Sequence, residues 1–258
     1  MHLKAADFGF LGIYAVAMAT EFYVEYIKWD AGRIAVKPAV IILLILYYLI
    51  KLQNVPSKFK NYVLIALLLS LCGDVSLLFE ENHELFFIGG LASFLLAHIL
   101  YIIGFTGNAG ESLHKKHKNT EAEGVRVAEF ILFGILPFYL LTSTAYLGLR
   151  DYLGDLGMPV IIYMLVIASM GAAAAFRYYF TTTPSFLFIL FGAIIFMVSD
   201  LSLAMRKFLK IDPRWMMGLI NTTYYIAQYL IALGTMSHIF DIEGHPHEKE
   251  AAKKEKKH

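Results

Sequence analysis

Apolar residues recur in long runs along the chain, separated by short polar segments. Each run is about 18 residues or longer, the length at which a helix crosses a bilayer. The pattern predicts eight membrane-spanning helices, at residues 8–26, 36–53, 60–79, 85–105, 128–148, 158–176, 184–205 and 215–238. The stretch 15–17, Ala-Val-Ala, is similar to a signal-peptide cleavage site, but the apolar run continues to Tyr23, so we interpret it as a span.

A polar stretch at residues 106–126 divides the runs into two sets of four. We therefore expect one transmembrane domain over residues 1–240, with halves at about 1–106 and 127–240. Residues 241–258 contain few apolar side chains. Such a segment cannot bury enough surface to fold, which predicts a disordered cytosolic tail.

The composition agrees with a membrane protein. The chain is 58% hydrophobic and 17% charged, with a mean hydropathy of +0.60, whereas soluble domains are about half apolar and about a quarter charged. The net charge of +1 gives no sign of nucleic-acid binding. The single cysteine, Cys72, excludes an internal disulfide.

The basic residues predict the orientation of the chain. Fourteen of the 22 Lys and Arg residues fall at the N-terminus, in the second, fourth and sixth loops and in the tail. The positive-inside rule then places both termini in the cytosol. The last five residues, KEKKH, fit the dilysine signal for retrieval to the endoplasmic reticulum, and a merely solubilising basic tail is the alternative. We expect a multi-pass protein of the endoplasmic reticulum.

Two aspartates lie inside apolar runs, in CGDVSLLF at 72–79 and in VSDLSLAM at 198–205. Asp74 and Asp200 are 126 residues apart, and at this offset Ser76 falls on Ser202. The same offset places the second span on the sixth and the third on the seventh. The sequence therefore predicts an all-α integral membrane protein built from two parallel four-helix repeats.

Aspartates inside membrane spans are energetically costly, so their presence has to be explained. An ionised Asp at the bilayer centre costs about 2.5–3.5 kcal/mol on insertion scales, so both should face the bundle interior. Two close carboxylates repel, and a pair with separated pKa values supplies an acid and a base in one pocket. The alternative is that each Asp only bonds a neighbouring helix. Two aspartates at matching repeat positions favour the functional interpretation.

Other polar residues within the spans are further candidates. His98 falls on Tyr224 at the same offset, each 24 residues after its aspartate. The fourth and eighth spans carry polar side chains at helical spacing: His98 and Tyr101, then Asn221, Tyr224, Tyr225 and Gln228. Each is either a substrate-orienting group or an interhelical hydrogen-bonding group, and the sequence leaves both interpretations open.

Basic residues near the span ends are candidates for binding a lipid headgroup. Lys37 precedes Pro38 at the start of the second span, on the same predicted side as the aspartates. It either extends to bulk headgroups or binds a lipid phosphate. The seventh span ends with three cations that we expect at the interface, with phosphate binding as the alternative: Arg206, Lys207 and Lys210.

Acidic residues near the end of the first span are expected to form ion pairs. Glu21 and Glu25 lie one helical turn apart, and Lys28 or Arg33 would be the partner. No cluster of His, Cys and Asp in the spans has the spacing of metal ligands, so we expect no metal and no cofactor.

Five stretches together resemble the YhhN-like lysoplasmalogenase family: KP at the start of the second span, GDVSLLF, FLLAHILYIIGF, GAIIFMVSDLSLA and TTYYIAQYLIALG. The resemblance covers about residues 37–234. It implies eight helices and hydrolysis of the vinyl ether bond of lysoplasmalogens, to a fatty aldehyde and glycerophospho-ethanolamine or -choline. It also implies that Asp74 and Asp200 are the family's essential aspartates.

The implied chemistry fits two carboxyl groups. A vinyl ether has no electrophilic carbonyl, and its protonation gives an oxocarbenium ion, a problem that glycosidases solve with two carboxyls. No nucleophile is needed, and the G-x-S-x-G motif is absent. We expect a lysophospholipid as substrate, with Lys37 and the polar span residues binding or orienting it. A proton-coupled transporter and a lipid-binding protein without turnover are the alternatives.

Overall fold

The computed structural model describes residues 5–116 and 129–243. Within these ranges the chain has no strand and contains eight long helices. They are α1 Ala5–Tyr26, α2 Asp30–Lys51, α3 Lys58–Leu78, α4 Glu84–Lys116, α5 Leu136–Leu149, α6 Gly157–Phe176, α7 Thr183–Leu209 and α8 Met216–Glu243. A π-helical segment, Phe130–Ile135, leads directly into α5. The prediction of an all-helical membrane protein is confirmed.

Six of the helices are long and apolar enough to cross a membrane: α2, α3, α4, α5 with its π-helical start, α6 and α7. The other two, α1 and α8, carry many polar side chains. Asp7, Glu21 and Glu25 of α1 are buried, as are Asn221 and Gln228 of α8. These polar groups face the interior of the bundle, so they lower the hydropathy of the two helices without exposing charge to lipid.

The predicted fourth span, 85–105, agrees with the membrane-length part of α4, Glu84–Gly107, although the helix itself is longer. Helix α4 continues to Lys116, well past the predicted end of the fourth span at residue 105 and into the predicted polar loop. A helix outside the bilayer needs no continuous apolar surface, so hydropathy does not mark its end. The rest of that loop, 117–128, and the tail from 244 onward lie outside the described residues.

Packing follows the same order in each half of the chain. Helix α1 packs on α2, α2 on α3 and α3 on α4, while α5 packs on α6, α6 on α7 and α7 on α8. The halves meet where α4 packs on α6 and where α8 packs on α1, α2 and α3. Helix α8 is therefore central, which explains why so much of it is buried.

Two glycines set the close approach of α7 and α8. A Cβ added at Gly192 would lie 3.0 Å from the Ala227 carbonyl oxygen, and one added at Gly234 would lie 2.9 Å from the Ser185 carbonyl oxygen. Any side chain at either position would push the two backbones apart. The glycines thus determine how deeply the polar residues of α8 enter the bundle.

A buried arginine lies at the end of the bundle remote from the two aspartates. Arg177, which follows α6, donates from Nη2 to Ser185 Oγ at 2.9 Å, and its guanidinium lies 4.9 Å from the Phe59 ring centre. Ser185 Oγ in turn donates to the Gly234 carbonyl at 2.8 Å. Burial lowers the pKa of Arg177 to about 9. This residue connects the α6–α7 turn to α3 and α8.

Candidate functional site

The two aspartates lie in equivalent places, Asp74 near the C-terminal end of α3 and Asp200 toward the C-terminal end of α7. Asp74 is 2% exposed and the side chain of Asp200 is 12% exposed. The partners of the two carboxyls, His98 for Asp200 and Tyr224 for Asp74, both contact the ring of Phe196. Both therefore occupy one polar region inside an apolar bundle.

Asp200 is held by side chains from two other helices. The hydroxyl of Tyr163 on α6 donates to Asp200 Oδ2 at 2.6 Å. The Nε2 atom of His98 on α4 lies 3.0 Å from the same oxygen and 3.1 Å from the Tyr163 hydroxyl. Because a carboxylate only accepts hydrogen bonds, these contacts fit a proton on Nε2. The three groups form a compact hydrogen-bonded triad.

Asp74 has a different set of neighbours. The hydroxyl of Tyr224 on α8 donates to Asp74 Oδ2 at 2.9 Å. Lys37 on α2 supplies positive charge to Asp74 and is itself only 1% exposed. The Lys37 carbonyl oxygen accepts a hydrogen bond from the Tyr225 hydroxyl at 3.4 Å. Lys37 therefore lies inside the bundle and does not extend to bulk headgroups.

The charged region continues to α1. Lys37 also acts on Glu21, whose Oε1 accepts a hydrogen bond from Asn221 Nδ2 at 2.5 Å. Glu25 forms an ion pair with Arg33 at 3.1 Å, which confirms the expected arginine partner for that residue. Glu21 has an amide neighbour where an ion pair was expected. The buried lysine thus provides positive charge to two carboxyl groups, on α1 and on α3.

Aromatic rings connect the two aspartates. The ring of Phe196 contacts the ring of His98 at a centroid distance of 4.7 Å and the ring of Tyr224 at 5.4 Å, both edge to face. Phe94 packs against Tyr224 at 5.7 Å. The hydrogen-bonding partner of each aspartate is therefore fixed by the same aromatic cluster.

A narrow groove between α4, α6 and α7 leads to Asp200. Its volume is about 40 Å³, and its walls are apolar apart from Asp200 and Tyr163. One water needs about 10–15 Å³, so the groove holds only a few atoms as it stands. Asp74 does not line it. Asp200 is thus the carboxyl that faces the groove.

Three of the predicted polar residues bond other helices rather than the aspartates. Tyr101 donates to Gln228 Oε1, and Gln228 Nε2 donates to Ser70 Oγ at 2.9 Å. The Tyr225 hydroxyl bonds the α2 backbone. The structure therefore brings His98 and Tyr224 directly to the aspartates and Lys37 and Asn221 to the charged region. Tyr101, Tyr225 and Gln228 connect helices around them.

Tyr163 was not predicted from the sequence to be a site residue. It lies in an apolar span where a tyrosine is unremarkable, yet the offset of 126 residues maps Lys37 onto it. Each aspartate is thus approached by a residue from the second helix of its own half, Lys37 or Tyr163. Each is also bonded by a residue from the last helix of the other half, Tyr224 or His98.

Across 5–116 and 129–243, no group of three or more His, Cys, Asp or Glu side chains could hold a metal ion.

An intramembrane aspartate pair within a helical bundle places this chain among multi-pass integral membrane proteins with a polar site buried between helices. The chain belongs to the YhhN family, whose sequence model matches residues 32–235. It is 28% identical over 191 residues to the lysoplasmalogenase TMEM86A of Bos taurus, a match covering 70% of this chain and 67% of that relative. No solved structure gives a significant match. The family resemblance noted in the sequence is confirmed.

Proposed function

We propose that this protein is a lysoplasmalogenase, which hydrolyses the vinyl ether bond of lysoplasmalogens to a fatty aldehyde and glycerophospho-ethanolamine or -choline. Membership of the YhhN family and the similarity to the bovine enzyme support this activity. The observation that carries it is the position of Asp200. This carboxyl faces an apolar groove and is bonded by Tyr163 and His98. The ring of Phe196 links His98 to Tyr224, which bonds the second aspartate.

The first step is a proton transfer to carbon. A protonated carboxyl donates its proton to the vinyl carbon beta to the ether oxygen, forming a C–H bond and leaving positive charge on the adjacent carbon and the oxygen. A carboxylate close by stabilises this oxocarbenium ion. The aspartate pair supplies both forms of the group, and the apolar surroundings strengthen the attraction between carboxylate and cation.

The second step adds water. The water oxygen bonds to the cationic carbon while its proton passes to the carboxylate, which gives a hemiacetal. Collapse of the hemiacetal breaks the bond between this carbon and the glycerol oxygen: a carboxyl protonates the departing oxygen, and a carboxylate accepts the proton of the hemiacetal hydroxyl as the aldehyde C=O forms. The sum is one vinyl ether and one water converted to one aldehyde and one alcohol, so the carboxyls end as they began.

The surroundings of the aspartates suggest different roles for them. Asp200 contacts the substrate because it faces the groove. Asp74 acts from behind the aromatic cluster, through its charge and through Tyr224. Lys37 was expected to bind a phosphate, but a side chain 1% exposed does not meet a headgroup. We assign Lys37 as the buried counter-charge of Asp74 and Glu21.

We also propose that all eight helices cross the membrane as two parallel four-helix repeats. The matching order of helix packing in each half supports this arrangement. So does the exchange of contacts, in which α4 reaches Asp200 and α8 reaches Asp74. The predicted location in the endoplasmic reticulum, with cytosolic termini, would place the aspartates toward the lumenal side.

Aldehyde release by purified protein tests the activity. The wild-type protein in detergent or in vesicles without an ion gradient should release a fatty aldehyde from a lysoplasmenyl-ethanolamine. A liposome uptake assay on the same preparation tests the transporter alternative. Uptake without aldehyde release would refute the proposed hydrolase.

A further inference from the structure

A charged cluster lies at the C-terminal ends of α3 and α7, outside the aspartate site. Glu80, which follows α3, binds Arg206 at 3.2 Å and Lys207 at 3.2 Å. Arg206 also binds Asp212 at 2.9 Å. The cluster thus combines two cations with two carboxylates, all at one end of α7.

Lys207 connects this cluster to the groove. Its ammonium lies 4.2 Å from the centre of the Phe87 ring, and Phe87 lines the groove together with Phe208. Phe87 and Phe208 also contact each other edge to face at 6.2 Å. Lys207 therefore lies against an aromatic residue that lines the groove.

The position of Lys207 along α7 matches the geometry of a lysophospholipid. Lys207 follows Asp200 by seven residues, which is about two helical turns on the same face and about 10 Å along the axis. In a lysoplasmalogen the glycerol carbons and one ester oxygen separate the vinyl ether from the phosphorus. With the reach of the lysine side chain, a lipid can place its ether at Asp200 and its phosphate at Lys207.

The exposure of the cations indicates which one is available. The side chain of Lys207 is 32% exposed, while Arg206 is 15% exposed and held by two carboxylates. Lys207 is the more exposed of the two cations and has one carboxylate partner where Arg206 has two, so a phosphate needs to replace a single ion pair to bind it. Glu80 stays paired with Arg206, and its second oxygen then faces the cationic end of the headgroup. Charges of both signs suit a zwitterionic headgroup.

We infer that Lys207 binds the phosphate of a zwitterionic lysophospholipid whose vinyl ether lies at Asp200, with Glu80 toward the headgroup amine. This inference rests on the proposed function for the identity of the reactive bond. It commits the groove between α4, α6 and α7 to the first part of the alkenyl chain, which continues outward between the helices into the bilayer.

Two substrates test the phosphate contact. Lys207→Met should raise KM for lysoplasmenyl-ethanolamine about tenfold, the loss expected for one charge-assisted contact. The same variant should leave KM unchanged for a 1-alkenylglycerol, which has no phosphate. Lys207→Arg should keep KM near the wild-type value. Equal KM changes for both substrates, or none for either, would overturn the inference.

Lys210→Met is the matched control, because Lys210 is exposed beyond the end of α7 and does not line the groove. It removes the same charge from the same end of the molecule. KM for both substrates should stay at the wild-type value. An equal rise in KM in Lys210→Met would mean that surface charge, rather than a phosphate site, determines lipid binding.

Direct binding separates this inference from the proposed activity. A saturated 1-alkyl glycerophospho-ethanolamine has the phosphate but no vinyl ether, so its binding requires no turnover. Lys207→Met should weaken this binding about tenfold while Asp200→Asn retains it. Unchanged binding in Lys207→Met would refute the phosphate site even if aldehyde is released. If Lys207→Met weakens this binding and the wild-type protein releases no aldehyde, only the proposed hydrolase activity is refuted.

Discussion

Asp74 and Asp200 differ in the groups that surround them. Asp200 accepts hydrogen bonds from a phenol and an imidazole and faces the groove, whereas Asp74 has one phenol and a buried lysine. Unequal environments are how a pair of carboxyls takes the separate roles of acid and base. The hydrogen-bonding partners therefore matter to the chemistry as much as the aspartates do.

Removing the hydroxyl of Tyr163 tests the positioning of Asp200. Tyr163→Phe deletes the 2.6 Å hydrogen bond without changing the shape of the site. We expect kcat to fall about tenfold or more with little change in KM, because the contact orients the reacting group rather than the lipid. The measurement is steady-state aldehyde release.

Tyr139→Phe serves as the matched control for this change. It deletes a hydroxyl bonded at 2.7 Å to Ser169, on the α5–α6 contact away from the aspartates. Its kcat should equal that of the wild type. A similar fall in both variants would show that the loss is structural, and an unchanged kcat in Tyr163→Phe would remove Tyr163 from the site.

Lys37 should matter for stability more than for lipid binding. Lys37→Met leaves Asp74 and Glu21 buried without a nearby positive charge, which should lower the free energy of unfolding. Adding Glu21→Gln should restore part of the loss. Thermal unfolding in detergent measures both. A Lys37→Met variant as stable as the wild type, with a raised KM, would instead support phosphate binding by Lys37.

Much of the site could be predicted from the sequence because the two halves repeat its key positions. The offset between the aspartates also relates His98 to Tyr224, and both prove to be direct partners. The burial of Lys37 could not be predicted, since a lysine at the start of a span equally fits an interfacial position. Lys37 is buried together with the carboxyl group of Glu21, which belongs to another helix, α1.

At the level of the helices, α8 shows that hydropathy alone does not identify a helix buried in the bundle. Its polar side chains lower its mean hydropathy, yet it packs against four other helices and is largely buried. Its position depends on glycines that allow α7 to approach closely. Disturbing this contact should move Tyr224 relative to Asp74.

Gly234→Ala tests the close approach of α7 and α8. The new Cβ would lie 2.9 Å from the Ser185 carbonyl oxygen, so the backbones must separate. We expect a loss of about 1–3 kcal/mol in the free energy of unfolding, as for overpacking in a core. Gly148→Ala is the control, because a Cβ there meets nothing within 4 Å. Equal stability of the two variants would contradict the proposed packing.

At the scale of the whole molecule, the helical fold was predictable because the bilayer requires every backbone polar group to be satisfied within a span. The neighbours of each helix were not predictable, since hydropathy carries no information on which helices meet. The last helix of each half contacts the aspartate of the other half, α4 at Asp200 and α8 at Asp74. These contacts are evident only in the three-dimensional structure.

The orientation follows from charge and has its own test. Epitope tags at both termini should be reached by antibody after selective permeabilisation of the plasma membrane, because the positive-inside rule places both in the cytosol. A tag on the α3–α4 connection should be reached only after full permeabilisation. Labelling of either terminus only from the lumen would reverse the predicted orientation.

The two-aspartate mechanism is tested most directly by aldehyde release in two variants, Asp74→Asn and Asp200→Asn, each compared with the wild type after purification to the same elution profile. Both substitutions preserve the size of the side chain and remove its acid–base chemistry. We expect each to lower the rate by about a hundredfold or more, as for loss of a general acid or base. A rate above about a tenth of the wild-type value in either variant, which is a barrier change of under about 1.4 kcal/mol, would contradict the mechanism.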